Sequence, residues 1–457
     1  MNSFIILIGL YAVLGTGIAI YARGARSQEE YFVGGRNISG IVSALTYAST
    51  TYSAFMMVGL VGLSYASGVG SAGFELMYLV GTLFLLSYYA PKVWELGKER
   101  GFVSPAELIG SRYGSITAKL SAIIALIALI PYTSIQLIGV ALILEKNASL
   151  SFSMGILVVA LLIALWAFIG GLRGVAWTDA IQGSLMLLAA ILAVVWVSFK
   201  VDFLSISKLD GLLYVPNKIW TPKLFAALTV PWFFFALTNP QVFQRLFIPK
   251  DKAALRKMIV YFGLFGLIYT VLVTFLGLEL KLMTLNGDFP SVSYRDDVTP
   301  TLLTIMPSWL SLLVALSILA AAITTANSII LTLSSMISRD VVKERGIIVG
   351  KLAVIVLTVV VALFALQKVS YIVELAVLSS TILLCFLPLI LGVFHFDKGG
   401  KITGVSTLLI GFVTAVTLSY FKLSPLGIPA SIVTFTLVFA TFFVFSLIEG
   451  KGSAKTI

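Results

Sequence analysis

Residues Ser317 to Ser328 read SILAAAITTANS, placing Thr324, Thr325, Asn327 and Ser328 in the middle of a stretch otherwise apolar enough to span a bilayer. Polar groups at membrane depth are costly, so a functional role is the first expectation. Hydroxyl and carbonyl oxygens are also what a hard cation requires. The same hydroxyls suit two structural jobs, bonding their own backbone or joining two helices.

The rest of the chain places that stretch in a membrane protein. Of 457 residues, 59% are hydrophobic and 11% charged, far from the roughly 25% charge of soluble domains. Runs of about 20 apolar residues mark thirteen candidate spans. They lie at 4–22, 39–67, 70–90, 116–144, 152–170, 177–199, 222–248, 255–285, 301–338, 347–367, 370–396, 403–421 and 427–448. The connections leave no room for a soluble catalytic domain, so one transmembrane unit over 1–457 is expected.

Five spans fall between 39 and 201 and five between 222 and 396. An odd number per half makes the halves enter the membrane in opposite directions, as in an inverted repeat. In such transporters the first helix of each half is interrupted and the site lies at the breaks. Here one of these helices carries Thr46, Ser49, Thr50, Thr51 and Ser53 before Gly59 and Gly62, and the other Pro231, Thr238, Asn239 and Pro240. Proline frees a backbone carbonyl, which at this depth needs a cavity, an ion or a substrate, or else only a kink. Residues 1–38 then form an accessory helix with an inner loop, and 401–457 two more helices with a short tail.

Met1 to Tyr21 lacks a basic start and a small-residue cleavage site, so a retained helix beginning outside is expected. With that orientation the inward segments hold 22 of the 31 Lys and Arg residues, which puts the C-terminus in the cytoplasm of a cell-membrane protein. The net charge of +11 is this bias and does not point to nucleic acid. A single cysteine, Cys385, and a single histidine, His395, leave no material for a disulfide, a zinc cluster or a Cys–His pair. Only Asp179 and Glu75 are candidate intramembrane acids, with no partner base, so no enzyme is expected. The sequon at Asn147-Ala-Ser149 predicts nothing without knowledge of the host.

Three local patterns together carry a resemblance: GGLRGVAWTDAIQ (Gly170 to Gln182), NPQVFQRLFIPKD (Asn239 to Asp251) and LAAAITTANS (Leu319 to Ser328). In this order, on a chain of thirteen spans, they resemble the sodium/solute symporter family from Tyr31 to about residue 420. The resemblance implies an all-α membrane protein with a LeuT-type 5+5 inverted-repeat core and accessory helices. It implies a sodium site made of the carbonyls of Ser49, Tyr52 and Ala321 and the hydroxyls of Thr324 and Thr325. Five uncharged ligands would hold a monovalent ion weakly enough to release it.

Asp179 matches the aspartate of a second sodium site in some relatives, and pairing with the inner basic loop or helix packing is its alternative. Ala321 stands where two-sodium relatives place another hydroxyl, so one coupling ion is expected. For the substrate, sugar-carrying relatives have polar groups at the positions of Thr51, Phe55 and Met56, and polar groups or tyrosines at those of Trp232 and Phe235, so this pocket reads as too apolar for a sugar. The segment WFFFALTNP, Trp232 to Pro240, instead resembles sodium/proline symporters, although those carry an aspartate at the position of Thr51 and a tyrosine at that of Ala236.

The expected substrate residues are therefore Thr51, Ser53, Phe55, Met56, Glu75, Trp232, Phe235, Asn239 and Pro240. Glu75 either meets an ammonium group or caps and pairs near the outer surface. The expected activity is Na⁺-coupled uptake of proline or another small amino acid by alternating access, in a lipid-embedded monomer. Carboxylate, vitamin or sugar uptake, a channel and a transport-free sensor are the rivals, and no output domain is expected after Ile457.

Overall fold

The computed structural model describes residues 3–148, 150–368 and 372–450, with side chains over 5–145, 150–368 and 375–450. Ser149 of the sequon and the basic residues of the tail lie outside the described residues. Apart from isolated bridge residues, among them Ile38 paired with Pro249, the described residues are helical or irregular.

Among them nine helices are long and apolar enough to cross a membrane, and a tenth span is the pair Gly40–Thr51 and Phe55–Ser67, bent by 52°. The other three expected spans are Ser3–Tyr21, a segmented span that starts at Pro222, and one half of Phe152–Ser198. That last helix has 47 residues. At 1.5 Å per residue it would measure about 70 Å, more than twice a bilayer core, so it has to turn. It turns at Gly171, with φ 51° and ψ −156°. A Cβ there would also lie 2.7 Å from Tyr31, whose hydroxyl is tied to the Ala167 carbonyl at 2.8 Å. The GGLRG motif is thus the corner joining two antiparallel spans.

Both expected interruptions are present. The first helix is capped by Ser39 and stops at Tyr52, whose φ −88° and ψ 85° take it out of helical geometry. Ser53 accepts the Phe55 amide at 3.1 Å, and the chain resumes as one turn of π-helix. In the second half, Pro222–Phe233 ends at Phe234, a single turn runs Phe235–Thr238, and Asn239 (φ −93°, ψ 111°) breaks the chain again before Pro240–Phe243. One expected boundary moves. The span at 301–338 is two helices, Val298–Ile305 and Ser308–Met336, because Pro307 cannot continue the first.

Ser308–Met336 is the axis of the bundle, with every residue from Val314 to Met336 buried. It packs against Phe152–Ser198, Ser115–Ala148, Gly40–Thr51 and Ile347–Ala365. A helix enclosed on all sides is apolar all round except where it does chemistry. Peripheral Ile347–Ala365, by contrast, exposes Ile348, Leu352, Val356 and Leu363, the surface expected to face lipid.

The end of the bundle that carries Gly40 is laced shut. Gln244 donates to the Val103 carbonyl at 2.8 Å and the Ser335 hydroxyl at 3.0 Å, and accepts from Thr332 at 2.6 Å. Arg339 pairs with Glu107 at 2.7 Å, and Gln28 reaches Ser338 at 2.6 Å. At the opposite end a cavity of about 540 Å³ opens between Leu63, Trp220, Leu378 and Ser431.

Candidate functional site

Ala321, Thr324, Thr325 and Ser328 fall at i, i+3, i+4 and i+7, one face of the axial helix. That face meets the last turn before the first break. Thr324 Oγ1 lies 2.9 Å from both the Ser49 and the Ala321 carbonyls. Thr325 Oγ1 lies 3.2 Å from the Ser49 carbonyl and 3.4 Å from that of Thr50. Each hydroxyl has one proton to donate and two lone pairs to offer, so five oxygens share two protons and retain lone pairs for a cation.

Four of the five expected ligands are therefore together: Ser49, Ala321, Thr324 and Thr325. Among the described hydrogen bonds these hydroxyls reach the Thr50 carbonyl and do not reach that of Tyr52. Sequence could not separate the two, because the exact residue at which the helix unwinds decides which carbonyl turns inward.

Asp179 is fully buried. Its Oδ2 accepts from Thr46 at 2.6 Å and its carbonyl from Ser49 Oγ at 2.9 Å, while Oδ1 has no hydrogen-bond partner. Arg245, counted from sequence among the inner-loop charges, is buried as well. Its Nη2 donates to Ser328 Oγ at 2.6 Å, and it interacts electrostatically with Asp179. Both residues are therefore buried inside the bundle and not in the inner loop.

The substrate candidates divide. Phe55, Trp232 and Phe235 form one aromatic cluster, with Phe55 5.2 Å and Phe235 5.6 Å from Trp232 between ring centroids. Phe74 and Tyr78 close on the same indole at 5.4 and 5.6 Å. Glu75 sits between those two in sequence and is 1% exposed, with neither carboxylate oxygen hydrogen-bonded. Its reading as a cap or ion pair near the outer surface is thereby corrected, since the side chain is enclosed within the bundle and its carboxylate has no hydrogen-bond partner.

Thr51 is buried with its hydroxyl unbonded, and Met56 is buried beside the break. Ser53 is committed to its local cap. The Asn239 amide donates to Thr238 at 3.2 Å, and Pro240 lines a small apolar cavity with Ile109, Met336 and Ile390, away from the aromatic cluster. These two shape the second break.

Sequence reading missed Tyr78 and Gln136. Gln136 follows Tyr132 by one helical turn, is buried, and has no partner for either amide atom. A glutamine inside an apolar span was the available signal. Each unbonded buried polar group costs about 1–3 kcal/mol, so the unbonded Glu75, flanked in sequence by Phe74 and Tyr78, makes the surroundings of the cluster more polar than Trp232 and Phe235 suggested.

Comparisons with known proteins bear on this arrangement. The sodium:solute symporter family matches residues 31–411. The chain belongs to that family. A sodium/pantothenate symporter of Haemophilus influenzae is 26% identical, covering 94% of this chain and 92% of its own. A sodium/glucose cotransporter of Vibrio parahaemolyticus is 24% identical over 93% of this chain and 86% of its own. The solved structure of a Na⁺-coupled sialic acid symporter superimposes with TM-score 0.87, covering 99% of both chains at 17% identity. The fold is thus of the LeuT type, and the protein is a multi-pass, sodium-coupled solute symporter and not an enzyme.

Proposed function

We propose that sodium binds between the first break and the axial helix, at the carbonyls of Ser49, Thr50 and Ala321 and the hydroxyls of Thr324 and Thr325, with Tyr52 joining on closure. The observation that carries this is the Thr324 hydroxyl 2.9 Å from the Ser49 carbonyl, which joins the two helices at the point where one unwinds. A cation there fixes the break from which Thr51 and Phe55 extend toward the aromatic cluster. Sodium so orders the solute site, and by reciprocity solute tightens sodium, typically by about 1–3 kcal/mol.

The solute is a small organic molecule with an apolar body against Phe55, Trp232 and Phe235 and hydrogen-bonding groups toward Glu75, Gln136 and Thr51. Proline fits the aromatics, with its ammonium group at Glu75. A hydroxylated carboxylate or amide uses Gln136 and Thr51 as well, and relatives that carry pantothenate support this second reading over proline. The laced end at Gln244 and Arg339 and the cavity above Trp220 support a state closed toward the cytoplasm, in a cell-membrane monomer with its N-terminus outside. The chain 1–457 acts as one unit, with repeats at 39–201 and 222–396.

The test is uptake of labelled pantothenate, proline and glucose into proteoliposomes under an inward Na⁺ gradient, with K⁺ and H⁺ gradients as controls. Pantothenate uptake driven by Na⁺ and competed weakly by proline supports the reading, and proline uptake of equal affinity restores the amino-acid assignment. Uptake of none of the three under a Na⁺ gradient removes both.

A further inference from the structure

On the outside of the bundle, Ile347–Ala365 packs beside the half of Phe152–Ser198 that precedes the corner at Gly171, and a groove of about 380 Å³ remains between them. Ile156, Ala160 and Thr358 form its buried floor, and Leu161 and Val359 stand exposed as its walls. Thr358 spends its hydroxyl on the Val354 carbonyl at 2.8 Å. Among the described residues no charged side chain lines the groove, so it is apolar along its length. The small side chains of Ala160, Ala164 and Ala362 leave the gap, which leucines there would fill.

The lining runs from Ile355 to Leu366 on one helix and from Ala164 to Ser153 on the other. The helix from Ile355 to Leu366 is about 16 Å long, and one leaflet of a bilayer core is about 15 Å thick. The Leu366 end lies away from the laced end of the bundle, where the start of the same helix is held by Gln28, which donates to the Gly346 carbonyl at 2.9 Å. Just past Leu366 the chain turns at Lys368, φ 52°, and the Lys368 ammonium lies 4.4 Å from the centre of the Phe152 ring. A cation thus sits beside Ser153, at the mouth of the groove. An ammonium has three N–H donors and the ring covers only one side of it, so donors remain for an anion. The helix that starts at Phe152 adds its positive dipole end.

We propose that this groove holds an acyl chain of one phospholipid, in the leaflet opposite the laced end, with the phosphate at Lys368. An apolar channel one leaflet long that ends at a cation matches such a lipid in shape and in charge. The cation favours an anionic headgroup, and one lysine near a membrane surface is worth about 1 kcal/mol, or about five-fold in affinity. Both groove helices pack on the axial helix, so the lipid braces that support from outside. The site uses none of the sodium or solute residues and stands apart from those readings.

The experiment takes the purified full-length chain. Native mass spectrometry with added phosphatidylglycerol or phosphatidylcholine counts the lipids retained per chain. A phosphatidylglycerol with a photoactivatable diazirine in its acyl chain shows where that chain lies. Wild type should retain one phosphatidylglycerol, about five-fold more tightly than phosphatidylcholine. The label should concentrate on 153–164 and 355–366 over Leu409 and Val413, which are also exposed on the outside of the bundle. Lys368→Gln should abolish the headgroup preference. Lys351→Gln, which removes a cation stacked on Phe168 beyond the other end of the groove, should leave it intact. Ala160→Leu/Ala362→Leu fills the groove and should remove retained lipid of either kind.

Label spread evenly over the wild type, retention unchanged in a folded Ala160→Leu/Ala362→Leu, or headgroup preference unchanged in Lys368→Gln overturns the proposal. The labelling uses no variant, so it decides even where the filled groove prevents folding. A wild type that retains no lipid and forms a dimer split by Ala160→Leu/Ala362→Leu would give the groove to a second copy of the chain, which also overturns it.

Discussion

The Thr324 hydroxyl meets the Ser49 carbonyl at 2.9 Å although the residues stand 275 positions apart. This contact joins the first helix of one repeat to the axial helix of the other, and the predicted consequences for sodium follow from it.

Replacing Thr325 with Ala removes a hydroxyl that reaches both Ser49 and Thr50. The sodium concentration for half-maximal uptake should rise by about ten-fold or more, equivalent to about 1.4 kcal/mol. Thr325→Ser keeps the oxygen and should stay within a few-fold of wild type. Sodium titration of uptake checks both, and equal effects of Ala and Ser would assign the loss to the methyl group.

Trp232 touches Phe55, Phe74, Tyr78 and Phe235. Trp232→Ala should weaken solute binding while leaving sodium binding without solute nearly intact, because no sodium oxygen rests on the indole. Large-to-small core changes cost about 3–5 kcal/mol, so the variant's melting temperature should fall as well. Paired solute and sodium titrations read the split, and an unchanged solute affinity would take Trp232 out of the site.

Glu75→Gln preserves volume and replaces a carboxyl group that has no hydrogen-bond partner. Solute uptake should drop far more than protein yield or melting temperature. Loss of a bond to a charged group is worth about 1.5–3 kcal/mol, roughly ten-fold to a hundred-fold in affinity. A variant that transports normally would leave Glu75 as a structural residue.

At the corner of the longest helix, Gly171→Ala forces a side chain into φ 51° and against Tyr31 at 2.7 Å. Left-handed strain with a backbone clash should destabilise by about 1–3 kcal/mol and lower the melting temperature by several degrees. Gly17→Ala, where a Cβ meets nothing within 4 Å, is the control.

Removing the Gln244 amide deletes three hydrogen bonds of the laced end. Gln244→Ala should speed amide exchange over residues 102–113 and shift the resting protein toward the cytoplasm-open state. Exchange measured with and without Na⁺ reads this directly, and identical protection in the two proteins would show that Gln244 does not hold the end closed.

Much of this protein is legible residue by residue because a bilayer imposes a simple rule: every backbone polar group must be satisfied within its own helix. Apolar run lengths therefore mark the spans, Pro240 and the hydroxyl cluster mark breaks, and Thr324 with Thr325 marks the helix proposed to face the cation. Three things required the tertiary structure. Arg245 lies near the inner end of the span read at 222–248, and only the structure shows it fully enclosed, because burial is a property of the neighbours that cover a residue. Glu75 is enclosed only when its helix packs Phe74 and Tyr78 against Trp232. Which carbonyl the Thr325 hydroxyl reaches beside that of Ser49, here that of Thr50, depends on the dihedral angles at the break, set by how the unwound segment packs against the axial helix.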